Sequence, residues 1–249
     1  MDAETCREIL LETISASVKH FCSENGIGSI WREPLVGFAD ASSPMFPELR
    51  TIAYRDHLMP SDVLSDAKTV ISYLLPFERD IGGSNEDGTE PSEAWVRAYE
   101  VTNRMAIGIN QSIVDTVNGM GFSAKVPENI GQIGTYSIWS QRHVARIAGL
   151  GSFGLNNMLI SESGCCGRYF SVVTNLDIQP DAPFEGERCL FKKTGKCGIC
   201  VRRCVGSVLG KDGFDRDGCN RICSGNEERM GQSVCGKCVV GLPCSYRAP

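Results

Sequence analysis

The sequence has no long apolar run: no segment approaches the roughly 18 uninterrupted apolar residues that indicate a membrane-spanning helix. Its opening residues, Met-Asp-Ala-Glu, lack the basic and apolar regions of a secretory signal. We therefore expect a cytoplasmic protein that does not contact a membrane. Thiols stay reduced in that compartment, so disulfides are a poor explanation for dense cysteine.

Histidine is also scarce, with 3 in 249 residues. His20 falls in a predicted first helix, His57 in a polar turn, and His143 in a helix that precedes a glycine-rich loop. These positions are too scattered to predict a histidine metal site. We interpret all three as structural, although His143 is near the loop considered below.

Cysteine, by contrast, is abundant and concentrated. Of 13 cysteines, 9 lie after residue 188. They are Cys189, Cys197, Cys200, Cys204, Cys219, Cys223, Cys235, Cys238 and Cys244. Three of them form the pattern C-x2-C-x3-C from Cys197 to Cys204, and Cys235 begins a second C-x2-C pair. The four earlier cysteines read as ordinary buried thiols.

Two kinds of metal site explain this pattern better than disulfides. A zinc ion held by the two C-x2-C pairs leaves most of the other thiols without a role. Two [4Fe–4S] clusters use nearly all of them, because the ferredoxin pattern sends its fourth cysteine to the other cluster. We expect one cluster at Cys189, Cys197, Cys200 and Cys244, and the other at Cys204, Cys235, Cys238 and one of Cys219 or Cys223.

Charge separates the same two regions. Residues 186–249 carry 12 Lys and Arg against 6 Asp and Glu, whereas residues 1–185 carry 13 against 24. Positive charge beside the proposed ligands suits an anionic cluster. The segment lacks the interleaved aromatic residues of a single-strand binder, so we do not expect a nucleic-acid partner.

Helix-like and strand-like segments alternate before residue 186, which predicts an α/β body over 1–185. The cysteine-rich residues 186–249 predict a second, ferredoxin-like domain. The predicted helices are 3–24, 92–119 and 138–148, and the predicted strands are 36–39, 69–76, 122–126, 157–161 and 168–177. Residues 80–92 read as one mobile, glycine-rich loop, and 195–204 as a cysteine loop with a short helix.

A glycine motif, Gly149-Leu-Gly151-Ser-Phe-Gly154, matches the dinucleotide-binding pattern G-x-G-x-x-G. A dinucleotide site needs a strand before this pattern and a helix after it. Here the order is reversed, so we expect a helix end followed by backbone that passes close to a flat cofactor or to another backbone.

Several motifs occur in a fixed order before the cysteine blocks. They are Ala67-Lys-Thr-Val-Ile-Ser72, Trp139-Ser140-x-x-His143, the segment Ile147 to Ile160 around the glycine motif, and Gly167-Arg168-Tyr-Phe-Ser-Val-Val-Thr174. From about residue 65 onward, this arrangement resembles small iron–sulfur proteins related to epoxyqueuosine reductase and the corrinoid-dependent reductive dehalogenases.

The resemblance implies a nitroreductase-like α/β domain that holds cobalamin and a ferredoxin-like domain whose two [4Fe–4S] clusters feed it electrons. It implies cofactor contacts at Ser140, His143, Gly149, Gly151, Gly154 and Asn156. An acidic stretch of the family, of the type Asp-x-x-Pro-x-x-Glu, is not recognisable over 135–141. We therefore assign no catalytic residue, and Tyr136 is a candidate proton donor on chemistry alone.

We therefore expect an iron–sulfur oxidoreductase that passes electrons to a bound corrinoid or small organic substrate. A ferredoxin or flavodoxin would supply the electrons. A flavin is the alternative organic cofactor, since nitroreductase-like folds also hold flavin. Two other interpretations are a non-catalytic electron carrier or reductive activator that docks a partner, and a zinc-stabilised binding module. Arg142, Arg146 and Arg168 suit either anionic ligands or surface ion pairs.

Overall fold

The computed structural model describes residues 2–28, 30–128, 132–133 and 135–249. Its helices are α1 (Ala3–Asn25), α2 (Met45–Ile52), α3 (Pro60–Val63), α4 (Arg79–Ser84), α5 (Glu93–Gly119), α6 (Gln141–Ile147), α7 (Leu190–Thr194), α8 (Ile199–Arg202) and α9 (Arg216–Met230). Its strands are β1 (Leu35–Asp40), β2 (Thr69–Pro76), β3 (Ala124–Lys125), β4 (Gln132–Ile133), β5 (Tyr136–Ser137), β6 (Ser152–Phe153), β7 (Leu159–Ile160) and β8 (Gly167–Thr174). In the ranges described, no helix is long and apolar enough to cross a membrane.

The central sheet has the strand order β1-β2-β8-β3 and is antiparallel throughout. All residues of β2 are buried, which explains its mostly apolar sequence. Alternate residues of a strand point to opposite faces. Ile71 and Tyr73 accordingly join the core that contains α1 and α5, whereas Leu74 joins a small cluster with Ala145 of α6.

The two long helices cover one face of this sheet because each carries an apolar stripe at helical spacing. In α1 the stripe is Cys6, Leu10, Ile14 and Val18, all buried. The Asp2 side chain accepts the Thr5 N–H at 2.8 Å and caps the start of α1. Helix α5 begins after Ser92, whose hydroxyl accepts the Trp95 N–H at 3.1 Å.

The cysteine-rich segment packs directly on the body. Its backbone follows the turn before β8: the N–H groups of Cys165 and Cys166 donate to the carbonyls of Cys244 and Ser245, each at 2.9 Å. One continuous core includes residues from α1, α5 and the last 60 or so positions, among them Val239 and Val240. The division at 185/186 stays a prediction.

Most predicted elements are confirmed to within a few residues. The strand over 69–76 has the predicted limits, the helix over 92–119 starts one residue later, and a helix precedes the glycine motif while short strands follow it. The helix predicted over 138–148 is shorter, because Trp139 and Ser140 turn to meet His57.

The prediction of one mobile loop over 80–92 is wrong in its first half. Residues 79–84 form α4, and Gly82 lets this helix approach the Tyr246 hydroxyl so closely that a Cβ would clash with it. Asn85 is fully buried; it accepts the Ser92 N–H at 3.0 Å and donates to the Cys235 carbonyl at 3.0 Å. These contacts join the segment to the second cysteine block.

Candidate functional site

A cleft lies between the α/β body and the cysteine-rich segment. It consists of two adjoining cavities of about 450 and 480 Å³. Ligand sites for small molecules and cofactors have volumes of this order. Both cavities are lined by Ser137, Ser140, Arg142, Met158, Cys204, Val208, Cys219, Cys223, Ser233 and Cys238. One wall of the cleft is therefore built from thiols and the opposite wall from the start of α6.

His57 fixes the start of α6 from behind. Its ring is fully buried and stacks on Trp139, with 5.7 Å between ring centroids. Its Nε2 accepts the Ser140 N–H at 2.9 Å, so Nδ1 carries the proton and donates to the Leu58 carbonyl at 2.7 Å. Burial lowers the pKa of His57, which keeps the ring neutral. The structure thus supports a structural role for His57, at the end of a turn in which its N–H donates to the Tyr54 carbonyl at 2.9 Å.

His143 faces the cleft from the first turn of α6. Its Nδ1 lies 2.7 Å from the Ser140 hydroxyl, and its ring packs on Phe153 with centroids 4.6 Å apart. Burial, and then the positive charge of Arg142, lower the pKa of His143 to about 4. The ring is therefore neutral at pH 7 and forms a hydrogen-bonded pair with Ser140 at the cavity wall.

Four of the predicted ligands surround a separate, smaller cavity. Cys189, Cys197, Cys200 and Cys244 line it, with Leu155, Phe191 and Leu242. Burial, and then the charges of Cys244, Cys189 and Cys197, raise the pKa of Cys200 to about 11. The four cysteines assigned to one cluster by their spacing thus lie together around one space, although their ligation stays a prediction.

The other five cysteines, Cys204, Cys219, Cys223, Cys235 and Cys238, line the cleft itself. Burial, and then the charges of Cys235, Cys219 and Cys204, raise the pKa of Cys238 to about 12. Cys219 and Cys223 are one turn apart on α9 and share a hydrogen bond, which lowers the pKa of Cys219 to about 7. The group contains one thiol more than a cluster needs.

Two buried polar groups beside this second group fit an anion with sulfur acceptors. Lys237 is fully buried, and its ammonium donates to the backbone carbonyls of Asn85 at 3.1 Å and Asp87 at 2.7 Å instead of to a carboxylate. The Trp95 indole N–H is buried without an acceptor and lies against Gly236, between Cys235 and Cys238. A buried cation and an unused donor both gain from an anionic cluster at these thiols.

Within the described ranges, no group of three or more His, Cys, Asp or Glu side chains is arranged so that it could hold a metal ion. Zinc and cluster binding both stay predictions.

The structure separates the cofactor contacts that the resemblance implied. Ser140, His143 and Asn156 line the cleft, as does Tyr136, whose ring stacks on Tyr54 at the rim. Gly149 and Gly151 line neither cleft cavity. Both lie against backbone, since a Cβ on Gly149 would meet the Ala182 carbonyl and one on Gly151 the Ile160 carbonyl. Gly154 lines the smaller cavity instead. The first two glycines therefore lie against other backbone, and their contact with a cofactor stays a prediction.

Sequence reasoning missed several residues at the site. Trp95 and Asn85 meet the second cysteine block, and the thiol of Cys165 forms a hydrogen bond with that of Cys244. Lys237 was expected beside the proposed ligands from its position between two cysteines, and it meets the same block. The others come from elements 70 to 150 positions away.

No protein-family model matches the sequence, and neither does any curated protein at a significant level. Solved structures do match. An epoxyqueuosine reductase bound to an epoxyqueuosine-modified tRNA-Tyr stem loop superposes with a TM-score of 0.64 at 17% identity, covering 98% of this chain and 66% of the reductase. The reductase from Bacillus subtilis gives 0.55 at 16% identity, with coverage of 98% and 66%.

The catabolic reductive dehalogenase NpRdhA gives a TM-score of 0.60 at 17% identity, covering 86% of this chain and 30% of the dehalogenase. These neighbours match the relation that the sequence motifs suggested, and they establish a shared α/β fold with a small antiparallel sheet. The chain spans about two thirds of the reductase and less than a third of the dehalogenase.

Proposed function

We propose that the chain is an iron–sulfur oxidoreductase that passes single electrons through two [4Fe–4S] clusters to a group bound in the cleft. One observation carries the proposal: Cys204, Cys219 and Cys238 line the same cavity as Ser140 and His143. An electron that reaches these thiols is already at the wall of the binding site. The shared fold with two kinds of reductase supports the same reading.

The group in the cleft is a corrinoid in this proposal, with flavin as the alternative. When bound, it would supply the reductive chemistry. A structural neighbour is a reductive dehalogenase with a suggested mechanism for B12-dependent dehalogenation. The residues that would hold the group are Ser140, His143 and Asn156, which present a hydroxyl, a neutral imidazole and an amide along one cavity.

The chain's own side chains prepare the cleft for proton-coupled reduction. Ser140 and His143 are neutral and hydrogen-bonded, so they can exchange a proton without a buried charge at rest. Tyr136 stands at the more open end, 43% exposed, with the Arg216 guanidinium 5.0 Å from its ring centroid. This phenol is the candidate proton donor closest to solvent.

The electron donor is proposed to be an acidic ferredoxin or flavodoxin. Lys192, Lys193, Lys196 and Lys211 are exposed around the segment that wraps the smaller cavity. Lys211 lies 5.8 Å from the ring centroid of Phe191, which itself lines that cavity. Opposite charges steer such encounters and make their rates fall with ionic strength.

The decisive experiment is anaerobic purification followed by a visible spectrum and by iron, zinc and cobalt analysis. We expect broad absorbance near about 400 nm and about eight irons per chain. Uptake of added cobalamin or flavin then separates an enzyme from an electron carrier. A colourless protein that contains zinc contradicts the proposal.

Two cysteine variants, one at a predicted ligand and one at a control position, test the ligand assignment. Cys200→Ala removes one predicted ligand and should lose about half the iron. Cys22→Ala changes a half-buried thiol on α1, far from both cysteine groups in the sequence, and should keep all of it. Unchanged iron in Cys200→Ala would remove this residue from the ligand set.

A further inference from the structure

We propose that the cleft selects substrates that carry a carboxylate or phosphate group, and that Arg142 and Arg168 bind this anion. The inference rests on the proposed function for the identity of the cleft as the substrate site. It adds the chemical class of the substrate. Its evidence is the charge, the unused hydrogen-bond donors and the aromatic walls of the cleft.

The lining of the cleft is cationic without any acidic residue. Arg142 lines both cavities, Arg168 lines the larger one and Arg216 the other. No Asp or Glu lines either cavity among the described residues, and the few positions outside those ranges carry no acidic residue. Three guanidinium groups at one cleft therefore have no carboxylate partner in its lining.

Arg142 is held in this position at an electrostatic cost. Burial, and then the charges of Arg168 and Arg216, lower the pKa of Arg142. One of its terminal nitrogens donates to the Met158 sulfur at 2.8 Å, and a thioether is a weak acceptor. A bound oxyanion would replace this weak acceptor and offset the repulsion between the arginines.

Arg168 supplies an unused donor. Its Nε is buried without a hydrogen-bond partner, and its guanidinium lies 3.9 Å from the ring centroid of Tyr99. Burial lowers the pKa of Arg168. A hydrogen bond and a cation–π contact with Tyr99 hold the guanidinium at the cavity wall, where it can donate to a carboxylate or a phosphate.

These charges are distinct from the cation beside the second cysteine group. Lys237 donates to the carbonyls of Asn85 and Asp87 and so is turned toward the loop after α4. Arg142 and Arg168 instead come from α6 and β8 of the body. Arg142 also interacts with the charges of Cys219 and Cys238, so an anionic cluster at the thiols would share Arg142 with a ligand in the open part of the cleft.

The remaining walls indicate what the anion is attached to. Phe77, Tyr99 and Tyr169 line the larger cavity with Arg168. Aromatic side chains favour flat, unsaturated ligands through stacking and edge contacts. We therefore infer a small aromatic or otherwise unsaturated acid, with carboxylate and phosphate as the two candidate anions.

Calorimetry on the anaerobic, cluster-loaded chain tests the site with four probes: benzoate, its neutral analogue benzamide, phenyl phosphate and inorganic phosphate. We expect benzoate or phenyl phosphate to bind at least about tenfold more tightly than benzamide, because only the anions pair with arginine. The tighter of the two identifies the anion. Equal affinity for benzoate, phenyl phosphate and benzamide overturns the proposal.

Variants assign the binding to the named arginines. Arg142→Gln and Arg168→Gln should each weaken the preferred anion about tenfold or more, whereas Arg146→Gln changes an exposed arginine of the same helix and should have no effect. Arg142→Lys keeps the charge and should retain part of the affinity. Arg216→Gln removes an exposed charge at the rim and should weaken binding even if the buried variants do not fold. The assignment is refuted if Arg216→Gln and every Arg142 and Arg168 variant that folds bind the anion as tightly as the wild-type chain does.

Iron content separates this inference from the proposed function. If the chain lacks iron but binds the anion through Arg142 and Arg168, the anion site is supported and the redox function is contradicted. If the chain contains about eight irons but does not distinguish benzoate from benzamide, the redox function is supported and the anion site is contradicted.

Discussion

The side-chain amide of Asn156 donates a hydrogen bond to the backbone carbonyl of Cys238 at 2.8 Å, across 82 positions of sequence. Asn156 lies just after the glycine motif and lines both the cleft and the smaller cavity. Cys238 belongs to the second cysteine group. One amide thus connects the α/β body to the segment that would hold the clusters, at the point between the two cavities.

Removal of this amide should loosen the connection. The side chain is nearly buried, so Asn156→Ala leaves the Cys238 carbonyl without its partner and should cost about 1–3 kcal/mol of unfolding free energy. Urea unfolding under anaerobic conditions measures the loss. Asn118→Ala, on the exposed side of α5, serves as the control and should change stability by less than about 0.5 kcal/mol. Equal stability of the two variants would mean that the hydrogen bond contributes nothing.

The surplus thiol on α9 can be identified by substitution. Cys219 lies in the first turn of α9, near Arg142 and Arg216. Positive surroundings and a helix N-terminus favour the thiolate, which is the form that binds metal. We therefore expect Cys219→Ser to lose the second cluster and about half the iron, and Cys223→Ser to retain it.

The iron and the electron paramagnetic resonance spectrum of the reduced variants provide the measurement. Cys223→Ser serves as the matched partner because it changes the same residue type on the same helix face. Loss of the cluster in Cys223→Ser alone would reverse the assignment.

Gly236 should tolerate no side chain. It has φ +76°, and a Cβ there would meet the Trp95 indole ring. Gly236→Ala therefore combines backbone strain of about 1–2 kcal/mol with a clash in a closely packed site. Gly231→Ala has similar backbone strain, at φ +79°, but its Cβ would meet nothing within 4 Å. The difference between the two melting temperatures isolates the contact with Trp95; no difference would show that the indole moves aside freely.

Stability should depend on pH through His143. Its pKa in the folded chain is about 4, below the usual value of 6.5, so the unfolded chain binds the extra proton between these values. The contribution of this residue is full above pH 6.5 and is lost as the pH falls toward 4. His57 acts in the same direction.

As the pH is lowered from 7 to 5, the urea concentration at the unfolding midpoint of the wild-type chain should therefore decrease. His143→Gln should reduce this decrease. His20→Gln offers a control, because His20 is exposed on α1, where it pairs with the exposed Glu24 at 3.2 Å. Identical pH profiles for wild type and His143→Gln would show that His143 is not held neutral.

The sequence predicted those features that depend on local patterns. The stripe of α1, the run of buried residues in β2 and the Ser92 cap of α5 follow from periodicity and capping, which act within a few residues. The spacing of the cysteines also predicted two groups, and the structure brings together the four thiols expected for the first. For the second cluster, the spacing left open which of two cysteines is the fourth ligand. The structure places all five candidate thiols at one cavity.

Only the tertiary structure decided which of the remaining residues meet these thiols. The sequence did not distinguish Arg142 and Arg168 from Arg146, because all three lie near the glycine motif. In the fold, Arg142 and Arg168 line the cleft, whereas Arg146 is exposed. The glycines were expected to allow a close approach, and the fold showed that Gly149 and Gly151 approach backbone rather than the cleft. Local sequence determines which conformations a segment adopts, whereas contacts between segments more than 60 positions apart depend on how the whole chain packs, and here those contacts define the site.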